Sequence, residues 1–233
     1  MNPTQTPEEV IQEQVGDAAD KPPFSLELSQ DQKDVREWVH GFAENVVRPA
    51  AHEWDEKEEF PWPVVQEAAK IGLYGFEGVA QFFADESGLS LPIVNEELFW
   101  GDAGIGMAIM GTGLAVSAIF GQGTPEQMGE WIPQCYGTED DVRVAAFCAS
   151  EPDAGSDVAN IRTKAVRDGD SWVISGAKLY ITNGIQADWI CLLARTSEEG
   201  GYRGMSQILV PTDTPGFSVS RRLNKLGNWS SDT

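Results

Sequence analysis

The stretch FCASEPDAGSDVANIRT, residues 147–163, lies where the pattern of the chain becomes that of β-structure. It connects two strand-like runs and brings Ser150, Gly155 and Ser156 close together. A glycine beside a serine lets backbone N–H groups approach an anionic ligand, such as a phosphate, without an intervening side chain. On physical grounds alone, the stretch predicts either a polar turn or a cofactor-binding loop.

The sequence before this stretch has a helical pattern over residues 29–137. Ser29 is a predicted N-cap, and the following apolar residues recur at steps of three and four. Further helices are predicted over residues 62–71, 92–101 and 104–120. Another is predicted from Pro125, where Thr124 and Gln127 form a capping box. The uncharged run of residues 104–120 is shorter than the roughly 20 residues of a membrane span, so it predicts a buried core helix.

After residue 141 the pattern changes to short alternating runs that predict strands. Asp168-Gly169 between two of these runs predicts a β-hairpin. The fold class is therefore α+β: a helical bundle over residues 29–140, then a β-barrel or sandwich-like domain over residues 141–233. Residues 1–28 predict an acidic, disordered tail. The predicted strands are VRVAAFCA, RTKAVRD, SWVISG, ADWICLLART, MSQILVP and FSVSRR.

The composition excludes several classes of function. A net charge of −21 disfavours nucleic acid and anionic lipid as partners. The three cysteines are widely spaced, which predicts neither a disulfide framework nor a zinc site and favours a reducing compartment. The N-terminus has no basic start followed by an apolar run, so we expect no signal or transit peptide and a cytoplasmic location.

Residues for common catalytic chemistry are scarce. The chain has two histidines and no nucleophile-elbow, P-loop or dinucleotide-binding motif. His52 and Glu56 have the spacing of metal ligands on a helix, but the charged residues around them indicate a solvated face. We therefore predict no metal site.

Two motifs resemble the flavin-binding signatures of the acyl-CoA dehydrogenase family. FCASEPDAGSD, residues 147–157, fits the first signature, approximately [YF]-C-x-[ST]-E-P-x-A-G-S-D. GAKLYITNG, residues 176–184, fits the second, G-x-K-x-[WY]-I-T-N-G. The resemblance covers about residues 30–233, the helical N-terminal domain and most of the β middle domain of that family.

The resemblance implies that FAD binds at the two motifs. Ser150, with the backbone of Ala149 and Ser150, would hydrogen-bond the pyrimidine edge of the flavin, where donors stabilise the charge of the reduced ring. Ser156, after Gly155, would contact the FAD pyrophosphate and line the acyl-CoA site. Thr182 matches the threonine beside flavin N5, the atom that receives hydride.

The same resemblance implies roles for the neighbouring motif residues. Tyr180 stands where the family has an aromatic residue, often Trp, against the flavin face, and Ile181 follows it in the motif. Phe147 replaces the commoner Tyr and loses one possible hydrogen bond. Cys148 is expected to pack, because no resolving cysteine is near it in sequence. Each residue alone could belong to an ordinary turn or core, and the two matched motifs together favour flavin.

The reaction implied is α,β-dehydrogenation of an acyl-CoA thioester. A carboxylate takes the α-proton while the β-hydrogen leaves as hydride to the flavin. In the family this base belongs to a C-terminal helical domain, so we expect a C-terminally truncated chain with no catalytic base of its own. Glu151 and Asp157 are predicted to cap turns. The expected partners are acyl-CoA, an electron-transfer flavoprotein or similar acceptor, and further subunits in a homo- or hetero-oligomer.

Other functions remain open at this stage. The alternatives are an acyl-CoA oxidase-like flavoprotein, a short subunit completed by another chain, and a non-catalytic module that binds flavin or acyl-CoA or interacts with another protein. Arg221, Arg222 and Lys225 form a basic cluster in an acidic chain. They indicate either a solvated face or a site for a CoA phosphate or an electron-transfer partner.

Overall fold

The computed structural model describes residues 27–233, so all but the last two residues of the predicted tail lie outside the described residues. The helices come first along the chain, and a π-helical segment, Ala43–Val47, joins the first two. The helices are α1 (Gln30–Phe42), α2 (Arg48–Lys57), α3 (Trp62–Lys70), α4 (Phe76–Ala84), α5 (Ser90–Gly101), α6 (Ala103–Gln122) and α7 (Pro125–Tyr136).

Two helix starts agree with the capping signals in the sequence. Ser29 and Gln32 form a reciprocal capping box at α1, and Thr124 and Gln127 form another at α7. The sequence reasoning placed His52 and Glu56 of α2 on a helix, but it missed α4. Helix α4 has no side-chain cap at its N-terminus, because Gly75 precedes it, so this local signal for a helix start is absent.

Helix α6 passes through the centre of the protein. The Asp102 carboxylate caps it by accepting a hydrogen bond of 2.8 Å from the Ile105 N–H. Among the described helices, α6 alone has the length and composition to cross a membrane, and half of its most apolar window is buried in the fold. Its packing against α5, α7 and the first strand agrees with the predicted core helix.

The second half of the chain forms a mixed five-stranded sheet around one central strand. Strand β4 pairs in parallel with β1 and antiparallel with β5, while β2 joins it where Lys164 pairs with Arg195. Strands β2 and β3 form the predicted hairpin, with Gly169 at φ +60° in its turn. The strands are β1 (Ala145–Cys148), β2 (Lys164–Asp168), β3 (Ser171–Ser175), β4 (Trp189–Arg195) and β5 (Met205–Pro211).

The α+β class is confirmed, but two details of the predicted β domain are corrected. Within the described residues the sheet does not close into a barrel, because β3 pairs with β2 alone and β5 with β4 alone. The sixth predicted strand, residues 217–222, is irregular. Phe217 at the start of this segment packs on the face of the sheet without pairing, and Arg222 at its end donates to the backbone carbonyls of Glu58, just after α2, and Trp229.

A buried hydrogen-bond network joins the helices to the sheet. The Thr112 hydroxyl on α6 accepts from the Ala145 N–H of β1 at 3.1 Å. It also lies 2.9 Å from the Tyr74 hydroxyl, which donates to the Arg143 carbonyl at 2.5 Å. Because Thr112 and Ala145 are fully buried, no solvent replaces these bonds.

We expect Thr112→Val to lower the free energy of unfolding by about 1–3 kcal/mol, because it leaves the Ala145 N–H buried without an acceptor. Denaturant unfolding monitored by circular dichroism measures the change. Ser117→Ala, at an exposed site on the same helix, is the control and should stay within about 0.5 kcal/mol of the parent chain. Equal stability of Thr112→Val and the parent would contradict a structural role for this network.

Candidate functional site

The loops that carry the two sequence motifs lie side by side in the fold. The first follows β1 and the second follows β3. The Leu179 N–H donates to the Ser150 carbonyl at 2.9 Å, and the Lys178 ammonium donates to the Ala149 carbonyl at 2.9 Å. Residues 147–157 and 176–184 are therefore held together by direct hydrogen bonds.

A buried ion pair lies beneath the two loops. The Lys178 ammonium is 2.9 Å from Oε1 of Glu151, and the two side chains are 8% and 6% exposed. The Glu151 carboxylate also accepts from the backbone N–H groups of Arg162 at 2.6 Å and Thr163 at 3.0 Å. The pair thus connects the first loop, the second loop and the start of β2.

The environment of Glu151 keeps its carboxylate ionised. Burial by itself would raise the pKa, but hydrogen bonds from Thr163, Arg162 and Lys178 lower it from 4.5 to about 2. This carboxylate is saturated with donors, so it stabilises the loop and is not available as a general base. Glu151 was predicted to cap a turn, but its carboxylate instead accepts from backbone N–H groups eleven and twelve residues away, and Asp157, the other predicted cap, makes no side-chain capping bond at the short helical turn Val158–Asn160.

Several polar groups predicted to contact a cofactor have no internal partner, although the Ala149 and Ser150 carbonyls accept from Lys178 and Leu179. Within residues 27–233, the hydroxyls of Ser150, Ser156 and Thr182 make no hydrogen bond, and neither does the Ser150 N–H. Ser150 and Thr182 are half-buried, while Gly155 and Ser156 are exposed. These donors and acceptors are available to a ligand because the fold does not use them.

The first loop makes a tight turn before it reaches Gly155. Glu151 and Ala154 exchange backbone hydrogen bonds of 2.9 and 3.1 Å. A Cβ built on Gly155 would have no neighbouring atom within 4 Å, and the φ of this glycine is not left-handed. The chain itself has room for a side chain here, so the space beside Gly155 can admit a ligand.

Tyr180, Ile181 and Thr182 follow the second loop's contact with Ser150. Tyr180 has φ +59° and is 68% exposed, so its ring lies at the surface rather than in the core. The next residue, Asn183, is fully buried with φ +63°. It packs so closely on α6 that a Cβ at Gly111 would lie 2.6 Å from its Nδ2. Asn183 therefore anchors the loop on the core helix.

Phe147 and Cys148 are part of β1 and contact different cores. Phe147 packs against the main core that includes the helices, and Cys148 belongs to the cluster on the opposite face of the sheet. Burial raises the pKa of the Cys148 thiol to about 12, which disfavours the reactive thiolate. Its contacts agree with the predicted packing role.

A cavity of about 640 Å³ borders the second loop on the open face of the sheet. Of the nine residues predicted to bind a cofactor, Cys148, Tyr180 and Ile181 line it. Its other walls come from β3, from β4 and from the irregular segment that contains Phe217 and Arg221. The remaining six predicted residues lie outside this cavity. The predicted cofactor-binding residues and the cavity therefore overlap only at Cys148, Tyr180 and Ile181.

The sequence reasoning missed the structural partners of the loops. Lys178 was recognised as part of the second motif, but its pairing with Glu151 spans 27 residues and has no local signal.

The basic cluster is largely engaged: Arg222 donates to backbone carbonyls, and Lys225 donates to the Ser231 carbonyl and the Thr233 hydroxyl. His52 and Glu56 are exposed, and no three metal-ligating side chains meet among the described residues.

Comparisons with known proteins agree with this arrangement of helices, sheet and loops. The family model of the acyl-CoA dehydrogenase N-terminal domain matches residues 29–139, and that of the acyl-CoA dehydrogenase middle domain matches residues 146–233. A short-chain-specific acyl-CoA dehydrogenase of Clostridium acetobutylicum is 36% identical over 219 residues, which is 90% of this chain and 55% of the relative.

Two further relatives extend the comparison. Mitochondrial isobutyryl-CoA dehydrogenase of Dictyostelium discoideum is 34% identical, over 88% of this chain and 49% of the relative. The structure of a glutaryl-CoA dehydrogenase from Mycobacterium smegmatis in complex with FADH2 has a TM-score of 0.73 and 32% identity, over 88% of this chain and 51% of that chain. The chain thus spans about half the length of the curated relatives it matches. Both of its halves match their models in order, and the chain belongs to the acyl-CoA dehydrogenase family.

Proposed function

We propose that this chain forms the FAD-binding part of an acyl-CoA dehydrogenase that acts on an acyl-CoA thioester. The observation that carries the proposal is the joining of the two motif loops, with unpartnered donors of Ser150, Ser156 and Thr182 on them. A flavin has a polar ring edge and a pyrophosphate, and these loops offer suitable groups for both.

The chain's residues divide the binding of FAD between the two loops. The Ser150 N–H and hydroxyl suit the ring carbonyl oxygens, since neither group is used within the fold. Gly155 and Ser156 suit the pyrophosphate, because the backbone is open there. Tyr180 offers an exposed ring for stacking, and Thr182 offers a hydroxyl at the ring. When bound, FAD supplies the acceptor for the hydrogens removed from the acyl chain.

We assign no described residue the role of the base that removes the α-proton. The Glu151 carboxylate is engaged by three donors. Asp232 is 1% exposed and accepts from the Ile185 N–H at 2.8 Å, so a substrate cannot reach it. In our proposal the catalytic base, the residues that set acyl-chain specificity and the oligomer contacts belong to the whole protein.

We propose that the electron acceptor is an electron-transfer flavoprotein or a similar protein. The cytoplasmic location stays a prediction.

Purified chain titrated with FAD tests the proposal. We expect one FAD per chain, detected by quenching of flavin fluorescence, and a chain that takes up no FAD contradicts the proposed function. Anaerobic addition of acyl-CoA to the FAD-loaded whole protein should then bleach the yellow colour. Rapid recovery of the colour in air would favour the oxidase, and FAD binding without bleaching would favour the non-catalytic module.

Gly155→Ala should weaken FAD binding on the order of tenfold, because the added methyl group occupies the space through which the backbone approaches the pyrophosphate. The same change should alter the unfolding free energy of the FAD-free chain by less than about 0.5 kcal/mol, since no atom of the chain lies near the added Cβ. Fluorescence titration and denaturant unfolding measure the two effects. Unchanged FAD affinity would remove Gly155 from the site.

A further inference from the structure

The Lys178 ammonium contacts the peptide group whose N–H is one of the free donors of the site. Its bond goes to the Ala149 carbonyl, and that carbonyl shares one peptide unit with the Ser150 N–H. We infer that Lys178 is a positioning residue that polarises the Ala149–Ser150 peptide and strengthens the Ser150 N–H as a hydrogen-bond donor to FAD. This inference rests on the proposed function.

The geometry of the peptide separates the lysine from the ligand. The described chain has no cis peptide bonds, and in a trans peptide the N–H and the carbonyl point in opposite directions. The Ala149 carbonyl therefore points to the buried ammonium and the Ser150 N–H points away from it. Ser150 is half-buried, and within the described residues its N–H donates to no other group.

The surroundings make this polarisation effective. A hydrogen bond from a charged donor is stronger than one between neutral groups, and linked hydrogen bonds strengthen one another where water is excluded. The Lys178 side chain is 8% exposed, so its field is weakly screened. Glu151 holds the ammonium from the other side and is itself fixed by the backbone of Arg162 and Thr163.

The electrostatic effect of the Lys178 charge can be tested separately from any effect of its side chain on the joining of the two loops. The Leu179 N–H donates to the Ser150 carbonyl at 2.9 Å, and this bond between the loops does not involve the lysine side chain. A neutral side chain of similar length could fill the same volume. It would leave the loops joined but remove the positive charge from the Ala149 carbonyl.

The test compares Lys178→Met with the double variant Glu151→Gln/Lys178→Met, each as the full chain loaded with FAD. We expect Lys178→Met to weaken FAD binding about tenfold and to make the flavin midpoint potential more negative, because the donor to the ring loses its polarisation. The double variant removes both buried charges, so its unfolding free energy should return toward that of the parent. Its FAD affinity and midpoint potential should remain altered.

The controls distinguish the possible failures. Lys70→Met removes an exposed positive charge from α3 and should leave FAD affinity within about twofold. If the parent chain binds FAD and the double variant has parental affinity and potential, Lys178 acts only in stability and the inference is wrong. If the parent chain binds no FAD, the proposed function fails, and the inference fails with it.

Discussion

Glu151→Gln is expected to lower the free energy of unfolding by about 3–5 kcal/mol, the largest effect among the variants considered. The change leaves the Lys178 ammonium buried without its counter-charge. It also places an amide NH2 group where a carboxylate oxygen now accepts from the Arg162 or Thr163 N–H. Denaturant unfolding at neutral pH, followed by circular dichroism, measures the loss.

The effect should depend on pH in a defined direction. The pKa of Glu151 is lowered from 4.5 to about 2, so its ionised form stabilises the fold above the unfolded-state pKa and loses that contribution as pH falls toward 2. The shift corresponds to about 3 kcal/mol. The stability difference between parent and Glu151→Gln should be full above about pH 5 and should shrink as pH falls to 2.

Asp153→Asn is the matched control for this variant, because it makes the same chemical change in the same loop. Asp153 pairs with Arg162 at 3.1 Å, but the two side chains are 62% and 73% exposed. Solvent screens such a pair, so its loss should cost at most about 1 kcal/mol. Equal effects of the two substitutions would contradict the importance of burial for the Glu151–Lys178 pair.

Gly176→Ala is expected to lower the free energy of unfolding by about 2–3 kcal/mol through overpacking. A Cβ at Gly176 would lie 2.3 Å from Oγ1, 2.7 Å from Cβ and 2.8 Å from Cα of Thr163. Thr163 cannot move away easily, because its N–H donates to Glu151 and its carbonyl accepts from the Arg195 N–H at 2.8 Å. The clash therefore disturbs the base of both loops.

Gly155→Ala provides the contrast for Gly176→Ala within the same pair of motifs. The first has open space around its Cβ and the second does not. In the FAD-free chain, denaturant unfolding should show a loss for Gly176→Ala and almost none for Gly155→Ala. If Gly176→Ala is as stable as the parent chain, the overpacking argument is wrong. The chain would then relieve the clash by moving Gly176 away from Thr163, just past the last β2–β3 pair, Lys164 with Ser175, at little cost in free energy.

Features that depend on near neighbours were predictable from the sequence. The capping boxes at Ser29 and Thr124 and the hairpin at Gly169 each depend on residues three or fewer positions apart. The change from helices to strands follows from hydrophobic periodicity for the same reason. The predicted strand at residues 217–222 was wrong because its formation depends on distant residues. Alternation indicates a strand, but a strand also needs a partner strand with which to pair.

The amino-acid sequence by itself determined the family, the order of helices before strands, and the two motifs with their serines, glycines and threonine, because these are properties of residues close together in the chain. The tertiary structure decided that Lys178 binds Glu151 and the Ala149 carbonyl, and that the sheet remains open in the described residues. It also decided which polar groups of the motifs stay free. These features depend on contacts between distant segments, and only the folded chain brings those segments within hydrogen-bonding distance.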